Sequence, residues 1–181
     1  MATIFDDIAE TLLTEEQIAD IVKKMGKQIS EDYKDKNLLL VSVLKGSLVF
    51  MADLMREITV PCAIDFLSVS SYGNGTSTSG EVRILKDLDA SLEGKDLLVV
   101  EDILDSGVTL SFLLKNLLAR KPASVRLCTF LDKPERRRVD IKADYIGASV
   151  PDKFIVGYGL DYAEKYRNVP FVGVLKPEIY T

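Results

Sequence analysis

Apolar residues along this chain follow two spacings. Nearly continuous runs of leucine and valine are typical of parallel strands that are covered on both faces. Three such runs cover residues 37–44, 97–100 and 124–131. Elsewhere, apolar residues recur every three or four positions, which predicts amphipathic helices. These stretches cover residues 15–33, 48–55 and 110–118. The alternation of the two spacings predicts a three-layer α/β fold, in which helices flank a mainly parallel twisted sheet.

Shorter patterns complete the predicted sheet. Residues 61–70 and 81–86 alternate apolar and polar positions, so we predict a long antiparallel hairpin. The small residues 71–80 between them predict a flexible loop. Further short strands are predicted at residues 144–149, 154–156 and 171–175. The residues before Thr14 show neither spacing, and we predict an irregular segment there. No repeat or linker divides the 181 residues, so we expect a single domain.

The composition restricts the chemistry that this chain can perform. Histidine is absent from all 181 residues, which excludes Ser-His-Asp and Cys-His catalysis and histidine-ligated zinc. Acid–base chemistry therefore falls to Asp, Glu, Lys or Tyr. The two cysteines, Cys62 and Cys128, lie in or beside apolar runs without metal-ligand spacing, so we expect reduced thiols.

Charge and hydropathy bear on partners and location. The formal net charge is −5, which speaks against a general nucleic-acid surface. The basic run at 136–138 is expected to be a solvated surface turn. No apolar run approaches the ~20 residues needed to cross a bilayer. We therefore expect no nucleic-acid partner, no membrane partner and a cytoplasmic location.

Polar residues follow two of the buried strands, each time at the start of a helix. After residues 97–100 come Glu101, Asp102, Asp105, Ser106, Gly107 and Thr109. After residues 37–44 come Lys45, Gly46 and Ser47. A strand, a small polar turn and a helix form the layout in which backbone N–H groups can hold a phosphate. Ligands of open α/β sheets also bind at the carboxyl ends of strands. The alternative for Lys45 is an ordinary solvated loop lysine.

The first of these segments resembles a known motif. Residues 99–109 read Val-Val-Glu-Asp-Ile-Leu-Asp-Ser-Gly-Val-Thr, which is similar to the phosphoribosyl-diphosphate-binding motif of type I phosphoribosyltransferases. Further segments resemble the hypoxanthine-guanine phosphoribosyltransferases of that family, and together they extend over nearly the whole chain. These are residues 43–47, 71–72, Lys133, 151–162 and Arg167.

The resemblance implies transfer of a 5-phosphoribosyl group from phosphoribosyl diphosphate to a purine base, which gives a nucleotide and pyrophosphate. The residues that would bind phosphoribosyl diphosphate are Leu44, Lys45, Gly46, Ser71, Tyr72, Glu101, Asp102, Asp105, Ser106, Gly107, Val108, Thr109 and Arg167. Those that would bind the purine are Ile103, Lys133, Lys153, Phe154, Ile155 and Asp161. Mg²⁺ is the implied cofactor, and its ligands would be Glu101, Asp102 and Asp161.

Individual roles in purine recognition also come from the resemblance. Lys133 would recognise the purine O6, and Phe154 and Ile103 would sandwich the ring, which suits a flat base. Backbone groups near Lys153, Ile155 and Asp161 would read the purine edge. Leu104 and Ile155 would line or adjoin the base pocket, where small changes would alter the choice among purines.

The remaining implied roles concern the reaction itself. Lys45 and Arg167 would contact pyrophosphate, with a strained, cis peptide bond between Leu44 and Lys45. Asp105 would act as the base for the proton on purine N7. The loop around Ser71 and Tyr72 would close over the site and exclude water.

The family also implies a domain layout and an assembly. A type I phosphoribosyltransferase fold would place the core at about 15–150 and a small hood in the N-terminal residues and about 150–181. Family members form homodimers or homotetramers, so we expect at least a dimer. Two alternatives stay open: an enzyme of the same reaction that prefers xanthine, and a regulator on the same fold that binds nucleotide and RNA. The acidic balance and the purine-binding segment speak against the regulator.

Overall fold

The structure is a computed structural model, and it describes residues 3–71 and 82–181. Short 3-10 helices cover Ile4–Asp7 and Pro134–Arg136. The α-helices are α1 (Glu15–Asp32), α2 (Leu48–Glu57), α3 (Val108–Ala119) and α4 (Pro177–Tyr180). The strands are β1 (Ile8–Leu13), β2 (Leu38–Leu44), β3 (Cys62–Ser71), β4 (Val82–Lys86), β5 (Asp96–Leu104), β6 (Ser124–Asp132), β7 (Tyr145–Ser149), β8 (Ile155–Val156) and β9 (Val172–Leu175). The predicted loop at 71–80 falls almost entirely outside the described residues.

The main sheet of the described chain has six strands in the order β4-β3-β2-β5-β6-β7. All neighbours in it are parallel except β4, which pairs antiparallel with β3. At its centre Leu40 lies between Ile64 of β3 and Leu98 of β5. The continuous apolar runs predicted strands of this kind, because a parallel sheet is covered on both faces.

Alternate residues of the central strands face two separate helical layers. Leu98 and Val100 pack with Phe50 of α2 on one face, in the core that also contains the buried side of α1. On the other face, Leu97 and Val99 pack with the buried leucines of α3. Successive side chains of a strand point to opposite faces, so one continuous apolar run supplies both cores. The predicted three-layer α/β architecture is confirmed.

A second sheet joins the two ends of the chain. Within the described residues it has three strands in the order β1-β9-β8, all antiparallel. Its own small core includes Val156, Val169 and Leu175. The prediction of an irregular segment before Thr14 is therefore wrong, because β1 lies there. The sequence of β1 lacks a clear alternation, and its pairing with the distant β9 supplies the order that the local pattern does not show.

The central strand β5 is longer than the apolar run predicts. Its pairing with β2 ends at Val100, opposite Ser42. Its pairing with β6 continues through Glu101 and Ile103 to Leu104. Backbone hydrogen bonds to one neighbour therefore carry the strand past the two acids, where the apolar run had predicted its end. Between β2 and β5 the sheet opens at its carboxyl edge, which is where ligands of such sheets bind.

None of the helices within residues 3–71 and 82–181 is long and apolar enough to cross a membrane.

Candidate active site

A cleft of about 520 Å³ opens where β2 and β5 separate. Its walls come from the ends of both strands, the turn before α3 and the turn after β8. The lining residues are Val43, Leu44, Val69, Glu101, Ile103, Asp105, Gly107, Thr109, Leu110 and Asp161. Seven of these are among the residues that the resemblance implied, and the fold brings them together from distant parts of the chain.

The turn between β5 and α3 forms one wall of this cleft. Gly107 is the N-cap of α3 and has a left-handed φ of 76°. A Cβ at this position would overlap the side chain of Ile141, so both the conformation and the space favour glycine. The hydroxyl of Ser106 accepts a hydrogen bond of 3.5 Å from the backbone N–H of Val108. The first N–H groups of a helix lack partners within the helix, which makes this wall suitable for an anion.

The basic run at 136–138 packs against this turn. Arg136 and Arg138 are exposed, as a surface turn predicts, whereas Arg137 is partly buried. The Arg137 guanidinium donates a 2.7 Å hydrogen bond to the backbone carbonyl of Asp105. It also forms an ion pair with the buried Asp132. The N–H of Arg138 donates to the carbonyl of Ser106. Arg136, by contrast, is exposed and pairs with Asp152. The charge pattern gave no sign that one of the three arginines, Arg137, is only partly exposed and paired with a buried acid.

Glu101 and Asp102, near the end of β5, have raised pKa values. One Glu101 oxygen, Oε2, is buried without a hydrogen-bond partner among the described residues. Burial, followed by the nearby Asp102 and Asp105 carboxylates, raises the pKa of Glu101 well above its usual value. Burial also raises the pKa of Asp102 to about 6, although hydrogen bonds from backbone N–H groups and the charge of Arg167 oppose the shift.

These acids have the properties of metal ligands. Within the described residues no group of three or more acidic or cysteine side chains is arranged to hold a metal ion. Mg²⁺ usually binds one or two carboxylates together with substrate phosphates and water. The partnerless Glu101 oxygen and the two raised carboxylate pKa values fit this mode, because a cation would relieve both. A Cβ at Gly46 would overlap the Asp102 carboxylate, so glycine leaves room for that side chain.

Cationic side chains lie beside the acids. The peptide bond between Leu44 and Lys45 is cis, as the resemblance implied. The Lys45 Nζ donates a 2.7 Å hydrogen bond to Glu164 Oε2. One Arg167 nitrogen lies 3.0 Å from Asp161 Oδ1 and 3.1 Å from Glu164 Oε1. The other terminal nitrogen donates to the carbonyl of Gly159 at 2.9 Å. Neither the motifs nor the resemblance pointed to Glu164.

The segment implied for purine recognition meets β6 next to this cleft. The buried Lys133 donates a 2.8 Å hydrogen bond from Nζ to the backbone carbonyl of Lys153. Burial, and then the charge of Arg136, lowers the pKa of Lys133. The Lys153 side chain points elsewhere, because its Nζ lies 2.6 Å from Glu10 Oε2 on β1.

The apolar side chains of this segment divide between the surface and the core. Phe154 is partly exposed and stacks on Tyr180, with ring centroids 4.7 Å apart. Leu104 is 1% exposed and belongs to the core beneath α3, while Ile155 is 6% exposed and belongs to the core on the other side. Both side chains are packed in the cores, and their expected influence on the choice of purine stays a prediction.

Two implied residues remain outside this description. Tyr72 lies outside the described residues, and for Ser71 the structure gives only the backbone at the end of β3. Their roles stay predictions.

Known proteins resemble this chain over nearly its whole length. The family model for the phosphoribosyl transferase domain matches residues 9–163. The hypoxanthine-guanine phosphoribosyltransferase of Bacillus subtilis is 54% identical over 174 residues, which cover 96% of this chain and 97% of the relative. The bifunctional protein TilS/HprT of Listeria monocytogenes is 51% identical over 179 residues, which cover 99% of this chain and 28% of that larger protein.

A solved structure extends the likeness to the fold. The crystal structure of a hypoxanthine phosphoribosyltransferase from Staphylococcus aureus has a TM-score of 0.97 to this chain at 50% sequence identity. The superposition covers 99% of this chain and 98% of that one.

Proposed function

The chain belongs to the phosphoribosyltransferase family, and from that premise we propose that it is a purine salvage enzyme. It transfers the 5-phosphoribosyl group of phosphoribosyl diphosphate to hypoxanthine or guanine, which gives IMP or GMP and pyrophosphate. One observation carries the proposal: the cleft between β2 and β5 is lined by an anion-binding helix start, Glu101 and Asp161. Asp102, Lys45 and Arg167 lie beside it. The close relatives named above support the choice of purine.

The turn before α3 binds the 5′-phosphate. Backbone N–H groups from Gly107 to Thr109 and the hydroxyls of Ser106 and Thr109 supply donors at a helix N-terminus, where an anion is favoured. Arg137 fixes the shape of this turn by holding the Asp105 carbonyl. Because the turn is already held in place, phosphate binding does not require the free energy of ordering the turn.

Glu101 and Asp102 serve the ribose and the cofactor. Their carboxylates lie where β5 is no longer paired with β2. They accept hydrogen bonds from the ribose hydroxyls or would ligate Mg²⁺, with Asp161 as a further ligand. When bound there, Mg²⁺ would supply positive charge near the departing pyrophosphate. Leu44, Lys45 and Gly46 bind pyrophosphate together with Arg167, and the two side-chain cations stabilise the charge that builds on it.

The purine occupies the side of the site nearest Lys133 and Phe154. Lys133 is buried with its Nζ held by the Lys153 carbonyl, so its position is fixed before a base arrives. It donates to the purine O6, while Ile103 and Phe154 contact the two faces of the ring. Backbone groups of Lys153, Ile155 and Asp161 read the purine edge.

Asp105 acts on the purine N7. It is exposed at the cleft, with its backbone held by Arg137, and its carboxylate accepts the N7 proton as N9 attacks the anomeric carbon. The bond from that carbon to pyrophosphate breaks at the same time, through an oxocarbenium-like transition state. Ser71 and Tyr72 belong to the loop that covers the site in this proposal and keeps water away from that carbon.

Initial rates of nucleotide formation test the proposed function. Purified protein is supplied with Mg²⁺, phosphoribosyl diphosphate and each of hypoxanthine, guanine and xanthine. We expect IMP and GMP to form, with xanthine used less well in direct competition. No nucleotide from any base would overturn the proposal, and a preference for xanthine would replace it with the xanthine-specific enzyme. Light scattering of the same sample tests the proposed assembly as a homodimer or homotetramer. The proposed location of the enzyme is the cytoplasm.

A further inference from the structure

Glu164 connects the two cations that flank the cleft. Its Oε2 accepts a hydrogen bond of 2.7 Å from Lys45, and its Oε1 accepts one of 3.1 Å from Arg167. Lys45 and Arg167 are separated by more than 120 residues in sequence, and one carboxylate bridges them in this structure. Both cations are those that the proposed function assigns to pyrophosphate.

The turn that carries Glu164 is tied to the same site. The backbone N–H of Glu164 donates a 2.9 Å hydrogen bond to Asp161 Oδ2. Both Ala163 and Glu164 have left-handed φ values, 51° and 63°, which are uncommon for residues other than glycine. A conformation of this kind persists when the surrounding contacts hold it. The fold therefore positions this carboxylate at the cations.

The bridge is easily exchanged. The side chains of Lys45 and Glu164 are 67% and 63% exposed, and exposed ion pairs contribute little to stability. A carboxylate carries one negative charge, whereas pyrophosphate carries several and offers more acceptor oxygens. Pyrophosphate, with its higher charge, therefore displaces the carboxylate at a low cost in free energy, since the two cations stay in place and change only their partner.

Resting on the proposed function, we propose that Glu164 is a positioning residue that occupies the pyrophosphate position in the substrate-free enzyme. It holds Lys45 and Arg167 near their binding positions, and the pyrophosphate group of the substrate then displaces it from both. Once pyrophosphate leaves, the carboxylate pairs with the cations again. Glu164 therefore lowers the affinity for pyrophosphate and favours its release.

Binding of inorganic pyrophosphate in the presence of Mg²⁺ tests this inference by calorimetry. Glu164→Gln keeps the shape and removes the competing charge, so we expect pyrophosphate to bind roughly 3- to 10-fold more tightly, the range for losing one or two exposed ion pairs. Glu164→Asp restores the charge and should bring the affinity back toward that of the unaltered protein. In kinetic assays, the KM for phosphoribosyl diphosphate should fall in Glu164→Gln, while the KM for the purine stays unchanged.

A matched control separates the local effect from the change in net charge. Glu93 is exposed and precedes β5 at the opposite end of that strand, so Glu93→Gln should leave pyrophosphate affinity unchanged. Equal or weaker binding by Glu164→Gln would overturn the inference. The proposed function is judged separately, by nucleotide formation in the unaltered protein. An active enzyme whose Glu164→Gln variant binds pyrophosphate no more tightly would refute only the role of Glu164, whereas tighter binding without nucleotide formation would refute only the proposed function.

Discussion

The Arg137 guanidinium holds the backbone carbonyl of Asp105 at 2.7 Å. The same side chain neutralises Asp132, which is 9% exposed at the end of β6. One arginine thus connects the end of β6 with the turn that begins α3. This contact makes the geometry of the proposed phosphate site depend on a residue outside the motif.

Replacing Arg137 should therefore impair both stability and substrate binding. Arg137→Met leaves the Asp132 carboxylate buried without its partner, which we expect to cost about 3–5 kcal/mol in the free energy of unfolding. Arg136→Met removes an exposed arginine from the same segment and should cost less than about 1 kcal/mol. Urea unfolding of the two variants measures the difference. Similar losses in both would contradict the bracing role of Arg137.

Asp105→Asn should slow catalysis without weakening the fold. A general base typically contributes about 10²–10⁴-fold to a rate, so we expect kcat to fall by at least ~10²-fold. The melting temperature should stay within a degree or two, because Asp105 is exposed. Its backbone carbonyl keeps its bond to Arg137, so the affinity for phosphoribosyl diphosphate should change little. A variant with nearly full kcat would exclude Asp105 as the base.

Lys133 and Lys153 offer a matched pair for purine recognition. Lys133→Met removes a buried donor and should raise the KM for hypoxanthine by about 10- to 100-fold, the range for a hydrogen bond involving a charged group. Lys153→Met removes a side chain that pairs with Glu10 instead, so the KM should change less than about threefold. Steady-state kinetics with each base provide the comparison. Equal effects of the two substitutions would argue against recognition by the Lys133 amine.

Stability of the metal-free protein should decrease as the pH rises above 4. The folded-state pKa of Asp102 is raised to about 6, and that of Glu101 is raised well above its usual value. In this range the folded chain binds more protons than the unfolded chain, so the stabilisation present below the unfolded pKa of about 4 is lost as pH increases through the folded values. Thermal melts between pH 4 and pH 8 measure the trend. Asp65, whose pKa is lowered, contributes the opposite dependence of stability on pH. The melts of Asp102→Asn over the same pH range therefore serve as the reference for the contribution of Asp102.

Mg²⁺ should counteract this loss of stability. A cation binds the ionised carboxylates, so it stabilises the folded protein more at pH 8 than at pH 5. At a concentration about ten times its Kd, Mg²⁺ should raise the melting temperature at pH 8 by about 3–6 °C. The double variant Glu101→Gln, Asp102→Asn should lose that shift. A shift that persists in the double variant would place the metal elsewhere.

The main sheet and the motif at its centre could be predicted because their signals are local. Leu97–Val100 is apolar throughout, and the residues from Glu101 to Thr109 follow one another in a recognisable order. β1 could not be predicted, because its order comes from pairing with β9, more than 150 residues away. The burial of Leu104 in a core could not be predicted, because the face on which a strand residue lies is unknown until the register is known.

Arg137 and Glu164 escaped prediction for a related reason. Each is a charged residue in a charged segment, and the sequence does not show which distant residue such a side chain will contact. Only the folded chain shows that Arg137 meets Asp132 and that Glu164 meets Lys45. The resemblance pointed to residues that would contact substrate. Arg137 and Glu164 instead form hydrogen bonds with some of those residues.

The central claim is that one cleft, between β2 and β5, binds both substrates. A crystal structure with IMP, Mg²⁺ and pyrophosphate tests it most directly. The account predicts the 5′-phosphate on the turn 106–109, the purine between Ile103 and Phe154, and pyrophosphate on Lys45 and Arg167, with the Glu164 carboxylate moved away. Nucleotide bound outside this cleft, or bound within it with its phosphate away from the turn before α3, would contradict the account.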